Sequence, residues 1–291
     1  MRTVGHYRKL IIGIGLPVAF GLTVIIIHIL NRSYMLYSKN TTPTHIAIIM
    51  DGNRRWAQSA GLLDFKGHEA GVEPIKTAVN FCTGHRIPYL TLYAFSTENF
   101  ERSKEEIDHL FSLITKKSDG LMNELKEQNV RIRIVGDQTK FPEDVKKWWN
   151  RIEDETKDGK ALTLTLLFGY SGRDDLAHAA RAIGQQVAQG TLDPDKITIK
   201  TFKKNLLTAH LPDADLLIRT GAERRLSNFL PFQSAYSELY FVDTLWPAMQ
   251  RENFEKALTK LNTKISQLQI NHEIQLEENK EYYENILQEN L

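Results

Sequence analysis

Residues 45–56 read HIAIIMDGNRRW: a short apolar run, then a carboxylate, a Gly-Asn turn and two arginines. An uninterrupted apolar run of this length is typical of a strand buried on both faces of a parallel sheet. Helical patterns separate it from similar runs further along the chain. This alternation predicts a single α/β domain with a mostly parallel central sheet of about six strands covered by helices. The further runs cover residues 89–94, 130–135, 162–168, 214–219 and 238–242.

Polar side chains follow these runs, at the points where the predicted strands end. Ligands of open α/β sheets bind beyond the carboxyl ends of the strands, so one rim is expected to collect these side chains. Turns are polar in any case, but the arginine content of these turns favours an anion site. The expected rim residues are Asp51, Ser96, Asn99, Arg173 and Arg219.

The turn at Asp51-Gly-Asn-Arg-Arg-Trp56 carries the most specific chemical signal. Backbone N–H groups at a helix start and two arginine side chains favour a phosphate there. A carboxylate beside a phosphate needs a cation between them, so Asp51 predicts Mg²⁺, which commonly uses one or two carboxylates plus substrate phosphates. The alternative is a salt-bridged turn, in which Asp51 pairs only with an arginine. Neither a Walker loop nor a GxGxxG motif is present.

Composition excludes some classes of function. The 291 residues include 42% hydrophobic and 25% charged residues, and the net charge is +1. This balance is globular and gives no reason to expect nucleic-acid binding. The single cysteine, Cys82, cannot form an intrachain disulfide, and no Cys/His spacing predicts zinc.

The N-terminal residues differ from the rest of the chain. Residues 11–30 contain no Asp, Glu, Lys or Arg and are long enough to cross a hydrocarbon core. We therefore predict a membrane anchor over 1–37 and a polar linker over 38–44. A cleaved signal peptide and a buried soluble helix are the alternatives, but the apolar stretch is long for a signal peptide and lacks a small-residue cleavage site.

Several separated motifs resemble the cis-prenyltransferases, the family of undecaprenyl and dehydrodolichyl diphosphate synthases. They occur in the family's order: HIAIIMDGNRRWA, GHEAG at 67–71, TLYAFSTENFER at 91–102 and DLLIRTGAERRLSNFLPFQSAYSELYF at 215–241. The resemblance implies a catalytic domain over 45–255 and leaves 256–291 as a C-terminal tail, which we expect to be helical. It also implies a reaction, in which isopentenyl diphosphate is added repeatedly to an allylic starter such as farnesyl diphosphate, each time with a cis double bond.

The resemblance further implies roles for individual residues. Asp51 and Glu238 are expected to hold Mg²⁺, and Asn53, Ser96 and Asn99 to orient the reacting groups near Asp51. Because Asn is not a base near neutral pH, a diphosphate oxygen or a water is expected to take the departing proton. Substrate-binding residues are expected to be Gly52, Asn53, Arg54, Arg55, His68 and Arg102 for the allylic diphosphate, Arg219, Arg225, Leu226 and Ser227 for isopentenyl diphosphate, Trp56 and Phe100 along the prenyl chain, and Ser96, Thr97 and Glu98 between them.

The growing lipid requires an apolar tunnel. Its candidate walls are a helix beginning near Gly71 and the apolar stripe of a long helix predicted over 104–129. Ordinary core packing explains any single residue of that stripe equally well. The stripe consists of Ile107, Leu110, Phe111, Ile114, Leu121, Met122 and Leu125.

The chain departs from the family pattern at three places. Asp64 stands where many relatives carry an arginine, and Gly169 takes the place of an Asn that is common in relatives. Gln267-Leu-Gln269 occupies the place of an Arg-x-Gly motif that reaches the partner's active site in many relatives. We nevertheless expect a homodimer, anchored in a membrane by a single span with its catalytic domain in the cytosol. The alternatives are a non-catalytic partner subunit, which would have lost the motif at 51–55, and an unrelated phosphate-binding α/β protein such as a phosphatase.

Overall fold

The computed structural model describes residues 42–289, in which one parallel sheet forms the centre of the fold. Its six strands lie in the order β3-β4-β2-β1-β5-β6. The alternation read from the sequence is therefore confirmed, and every pair of neighbouring strands is parallel. The strands are β1 His45–Ile49, β2 Tyr89–Ser96, β3 Val130–Val135, β4 Leu162–Tyr170, β5 Leu216–Arg219 and β6 Glu238–Phe241.

Helices connect and cover the strands. Ser103, Ser171 and Thr198 each cap the helix that follows, by accepting a backbone N–H with the side-chain oxygen. The helices of this region are α1 Asn53–Ser59, α2 Asp64–Ala70, α3 Glu73–Gly84, α4 Lys104–Lys117, α5 Asp119–Glu127, α6 Glu143–Thr156, α7 Gly172–Ala188, α8 Ile199–Lys204 and α9 Arg251–Glu289.

The predicted helix over 104–129 is two helices. It breaks at Ser118, whose hydroxyl donates to the carbonyl of Ile114 and accepts from the indole N–H of Trp148 at 3.0 Å. A serine that bonds the carbonyl four residues before it competes with the helical hydrogen bonds, and periodicity of the apolar stripe does not reveal this.

Strand β1 places the first motif at the centre of the sheet. All five of its residues are buried, and it pairs with β2 on one side and β5 on the other. The chain therefore leaves β1 in one direction and later returns on its other side. This reversal of strand order creates the crevice in which ligands of open α/β sheets bind, and Asp51 follows β1 at that point.

Residues 42–261 form one compact unit, and residues 262–289 are the described part of a second. The latter is the C-terminal part of α9, so the tail is helical as predicted. The predicted membrane span at 11–30 lies outside the described residues. Within 42–289, no helix is both long and apolar enough to cross a membrane.

Candidate active site

Asp51 lies just beyond the carboxyl end of β1 and contacts two arginines. One carboxylate oxygen accepts from Nη2 of Arg219 at 2.9 Å and the other from Nη2 of Arg55 at 3.3 Å. Thr220 fixes the backbone of Asp51 with two hydrogen bonds. Its hydroxyl donates to the carbonyl of Asp51 at 2.7 Å and accepts from the N–H of Asp51 at 2.9 Å. The carboxylate is therefore aimed by the ends of two adjacent strands, β1 and β5.

Arg219 is the last residue of β5, and its side chain is only 4% exposed. Its Nη1 donates to Ser227 Oγ at 2.7 Å and to the carbonyl of Arg225. Its Nε is buried without a hydrogen-bond partner among the described residues. Asp51 is the carboxylate that balances this buried charge, so the ion pair is part of the site and more than a solvated surface pair.

Asn53 is held against α2 by close packing. Its Nδ2 donates to the carbonyl of Met50 at 3.0 Å, while its Oδ1 is buried and has no partner in the described chain. A Cβ on Gly67 would lie 1.9 Å from the backbone oxygen of Asn53, so only glycine allows α2 to approach this closely. The GHEAG motif therefore places His68 beside the turn at Asp51.

His68 and Arg102 share one carboxylate, that of Glu106 on α4. Nε2 of His68 lies 3.3 Å from Oε1 of Glu106, and Nη1 of Arg102 donates to the same oxygen at 2.8 Å. Burial and the nearby Arg102 charge hold the pKa of His68 below its usual value, against an opposing effect of Glu106. The imidazole is therefore neutral at pH 7, and its Nε2 carries the hydrogen because a carboxylate can only accept.

Ser96 and Asn99 form a reciprocal cap at the end of β2. The Ser96 hydroxyl accepts from the backbone of Asn99, and Asn99 Oδ1 accepts from the Ser96 N–H at 3.1 Å. The two side chains are therefore held rigidly where the chain turns into the 3₁₀ helix Thr97–Glu101.

One cavity of about 600 Å³ joins these polar groups to an apolar interior. Its mouth contains Asp51, Asn53, His68, Ser96, Glu98, Asn99, Arg102, Arg219 and Ser227. The interior is walled by Val72 just before α3 and Ile75 of α3, Leu110, Leu113 and Ile114 of α4, Leu121 and Met122 of α5, Ile134 of β3, Trp148 of α6, and Leu166 and Phe168 of β4. Both predicted wall helices therefore line the cavity, and four residues of the predicted stripe do so.

A smaller pocket adjoins the mouth and contains Gly52, Arg54, Arg55 and Gln58 together with Asp51, His68 and Arg102. Asp64 lies behind it and accepts from Nε of Arg54 and from Nε2 of Gln58, both at 2.9 Å. These two bonds lower the pKa of Asp64. Asp64 thus orients Arg54, which lines the pocket.

The remaining predicted substrate residues lie near the cavity but do not line it within the described chain: Trp56, Thr97, Phe100, Arg225 and Leu226. Phe100 packs edge-on against Phe95 and Phe141, with ring centroids 4.9 and 5.2 Å apart. Arg225 is exposed and pairs with Glu223. A direct substrate contact by any of these five residues stays a prediction.

Glu238 is not brought together with Asp51 in one chain. It is the first residue of β6 and pairs in register with Leu216, which in turn pairs with Ile46 of β1. Asp51 lies five residues beyond Ile46 in the strand direction and two strands away from Glu238, so the two residues are roughly 19 Å apart. The two carboxylates of one chain therefore cannot share a magnesium ion, and a metal role for Glu238 in this site would require a second chain.

The donor set fits a magnesium ion carried by a diphosphate. The described residues include no cluster of three or more His, Cys, Asp or Glu side chains that could cage a metal. Mg²⁺ commonly needs only one or two protein carboxylates beside waters and substrate phosphates, and Asp51 supplies one at the cavity mouth. The buried Oδ1 of Asn53 has no partner among the described residues and would be available to accept a hydrogen bond from a bound water.

Three residues of the site were not identified from the sequence: Glu106, Thr220 and Asn228. Glu106 lies within the predicted helix 104–129, and its spacing of four from Arg102 is a local signal for an ion pair. Thr220 directly follows the run at 214–219, and its residue type alone does not indicate that its hydroxyl bonds the backbone of Asp51. No local signal distinguishes Asn228, because its contacts reach residues more than fifty positions away.

Comparison with known proteins agrees with this geometry. The sequence model of the family described as "Putative undecaprenyl diphosphate synthase" matches residues 49–268. The chain belongs to this family of cis-prenyltransferases. The resemblance read from the sequence motifs is therefore confirmed.

Relatives within the family differ in the starter that their names specify. The chain is 42% identical, over 74% of its length and 85% of the relative's, to a (2E,6E)-farnesyl-diphosphate-specific undecaprenyl diphosphate synthase of Pectobacterium atrosepticum. It is 40% identical, over 76% and 87%, to a geranylgeranyl-diphosphate-specific synthase of Picrophilus torridus. Among solved structures, lavandulyl diphosphate synthase of Lavandula x intermedia in complex with dimethylallyl diphosphate is similar, with TM-score 0.74 and 34% identity over 76% and 96%.

Proposed function

We propose that this enzyme condenses isopentenyl diphosphate repeatedly with an allylic diphosphate, most simply farnesyl diphosphate, to make a long-chain polyprenyl diphosphate. The observation that supports this proposal is the joined cavity, whose mouth carries cations and whose interior is apolar. Arginines at the mouth match diphosphate oxygens, and the interior can take a growing prenyl chain out of water.

The residues of the mouth divide into two diphosphate sites. Arg54 and Arg55, with His68 and Arg102, face the pocket beside Asp51 and are proposed to hold the allylic diphosphate. Arg219 and Ser227, on the other side of Asp51, are proposed to hold isopentenyl diphosphate, and Arg219 can use its unpartnered Nε there. Asn53 and Asn99 orient the reacting ends.

Magnesium, held by Asp51 and the substrate oxygens, would supply positive charge that stabilises the departing diphosphate. The arginines at the mouth share that task, since the leaving group gains charge as the allylic C–O bond breaks. The apolar walls exclude water from the allylic carbon, which keeps hydrolysis from competing with condensation.

The test is incorporation of radiolabelled isopentenyl diphosphate into a butanol-extractable product by the purified chain with farnesyl diphosphate and Mg²⁺. The expected result is a labelled polyprenyl product that is lost on adding EDTA. Omission of the allylic starter is the control. A folded, pure chain that gives no extractable label with any allylic diphosphate would contradict the proposal.

The same experiment separates the enzyme from a non-catalytic partner subunit. Asp51, Asn53 and Arg219 line the cavity and Arg55 lines the pocket that adjoins it, all within a single chain, which favours a catalytic subunit. We propose that this subunit acts as a homodimer. If the pure chain were inert and became active only with a second subunit ending in Arg-x-Gly, the homodimer proposal would be wrong.

We also propose that residues 11–30 anchor the enzyme in a membrane with the catalytic domain in the cytosol, where the product can enter the lipid. A chain beginning near Ser38 is expected to stay in the supernatant on membrane pelleting and to keep its activity. Protection of the catalytic domain from protease in sealed, cytosol-side-out vesicles would contradict this orientation.

A further inference from the structure

The loop between β5 and β6 has an unusual backbone. Four non-glycine residues within 222–230 have positive φ: Ala222 at 67°, Ser227 at 47°, Asn228 at 63° and Leu230 at 45°. Each such residue costs free energy and persists only where the surrounding contacts fix it. This loop carries Ser227, whose hydroxyl accepts a hydrogen bond from Arg219. The conformation of the loop therefore sets part of the cavity mouth.

Asn228 ties this loop to two others. Its Oδ1 accepts from the N–H of Arg173 at 2.8 Å, and its Nδ2 donates to the hydroxyl of Ser171 at 2.8 Å. The same Nδ2 lies 3.4 Å from Oε1 of Glu98. One side chain thus joins the ends of β2, β4 and β5, three neighbouring parts of the cavity rim.

The backbone of Asn228 takes part in the same junction. Its carbonyl accepts from the N–H of Gly172 at 2.9 Å. A Cβ on Gly172 would lie 2.2 Å from Cδ of Pro231 and 2.6 Å from that carbonyl, so glycine is needed for this approach. The first N–H groups of α7 are therefore occupied by the loop, and α7 acts here as a fixed support.

We propose that Asn228 is a positioning residue for isopentenyl diphosphate. It holds the strained loop at 222–230 so that Ser227 and Arg219 face the cavity in the geometry that binds this diphosphate. The inference rests on the proposed function, because it assigns Arg219 and Ser227 to isopentenyl diphosphate. Asn228 lines the cavity beside Ser227, but its side-chain bonds go to Ser171, Arg173 and Glu98, so it acts by holding Ser227 and not as a ligand. The allylic site at Arg54 and Arg55 lies on other elements.

The test compares Asn228→Ala and Asn228→Gly with a matched control, Asn129→Ala. Asn129 also has positive φ, at 60°, and its Oδ1 also accepts a backbone N–H, from Lys160 at 3.3 Å, but it precedes β3 at the other edge of the sheet. Asn228→Gly keeps the backbone conformation accessible and removes only the side-chain bonds.

Both Asn228 variants are expected to raise the KM for isopentenyl diphosphate about tenfold, the scale of lost side-chain hydrogen bonds, with the KM for the allylic starter unchanged. Asn129→Ala is expected to lower Tm without changing either KM. The inference is overturned if the Asn228 variants lower Tm as the control does and leave the KM for isopentenyl diphosphate unchanged, or if they raise both KM values equally.

A double-mutant cycle with Ser171→Ala identifies the contact that is responsible. If the Ser171 bond positions the loop, Ser171→Ala raises the KM for isopentenyl diphosphate, and the double variant Asn228→Gly/Ser171→Ala is no worse than Asn228→Gly. Full additivity would refute a role for this bond.

The proposed function can fail separately. If the wild-type chain elongates no allylic diphosphate, that function is wrong, and calorimetric titration with isopentenyl diphosphate then tests the loop directly. Weaker binding by Asn228→Gly than by the wild type or Asn129→Ala supports the inference. Equal binding, or binding by none of them, overturns it.

Discussion

At the scale of single residues, the site is built from paired charges. Asp51 is placed between Arg55 and Arg219, and Glu106 between His68 and Arg102. Each carboxylate holds its partners in position before an anion arrives, so less ordering remains to be done on binding. An arriving diphosphate would bind the arginines, and Asp51 would then be available to hold Mg²⁺.

Asp51→Asn is expected to reduce kcat about 10²- to 10³-fold, because the Mg²⁺ that would stabilise the charge on the departing diphosphate loses its carboxylate ligand. Some stability is also expected to be lost, because the buried Arg219 loses its counter-ion. Turnover and thermal unfolding measure the two effects. Asp137→Asn is the control, since Asp137 also follows a strand but bonds Thr139 away from the main cavity. Normal turnover of a folded Asp51→Asn chain would refute the metal assignment.

His68 is expected to take up a proton when the allylic diphosphate binds. In the enzyme without substrate the pKa of His68 is lowered, and the Nε2–H donates to Glu106. Nδ1 therefore has a hydrogen to donate only when the ring is protonated. Calorimetric titration in two buffers of different ionisation enthalpy measures this proton uptake. The uptake is largest above the pKa that His68 has in the enzyme without substrate. His68→Gln should abolish it. An equal heat in both buffers for the wild-type chain would contradict the expectation.

At the scale of elements, the break between α4 and α5 shapes the apolar chamber. The two helices place Leu110, Leu113 and Ile114 on one side of Ser118 and Leu121 and Met122 on the other, all on the cavity. A single straight helix would carry its apolar stripe past the chamber, whereas the bend at Ser118 lets both segments contribute to the wall.

Leu113→Trp is expected to shorten the product, because the larger ring occupies space that the growing chain needs. Chromatography of the dephosphorylated product against polyprenol standards measures chain length. Lys116→Trp, an exposed position on the same helix, is the control and should leave the length unchanged. An unaltered product from a folded, active Leu113→Trp enzyme would show that the chain follows another route.

At the scale of the whole molecule, a polar network lies inside the sheet far from the site. His45 is fully buried, with Nε2 2.8 Å from the hydroxyl of Thr91 and Nδ1 3.0 Å from the carbonyl of Pro212. Burial lowers the pKa of His45 to about 4, and His210 beside Thr165 is lowered to about 4 as well. The folded chain therefore keeps both imidazoles neutral over most of the working pH range.

Stability is expected to fall as pH drops from 6.5 towards 4. In this window the unfolded chain binds a proton at His45 that the folded chain does not, so unfolding is favoured, by up to about 3 kcal/mol at its lower end. Urea unfolding at a series of pH values measures the slope. His45→Gln should flatten it, while His178→Gln, at an exposed position, should not. An unchanged slope in His45→Gln would exclude this histidine as the cause.

Much of the fold was predictable because it depends on local pattern. Apolar runs bounded by turn residues determined all six strands to within about two residues, and the motif at 51–56 placed a carboxylate and two arginines beside a strand end, which identified the chemistry.

The order and register of the strands come from long-range pairing, and they decided which of the site residues lie together. Tertiary structure alone put β5 beside β1, so that Asp51 neutralises a buried Arg219, and it put Glu238 at the start of β6, away from the carboxyl strand ends where Asp51 lies. It also brought Asn228 to the start of α7 across more than fifty residues of chain. No local spacing encodes these contacts, because each arises only when separate elements pack together and their buried charges and N–H groups must find partners.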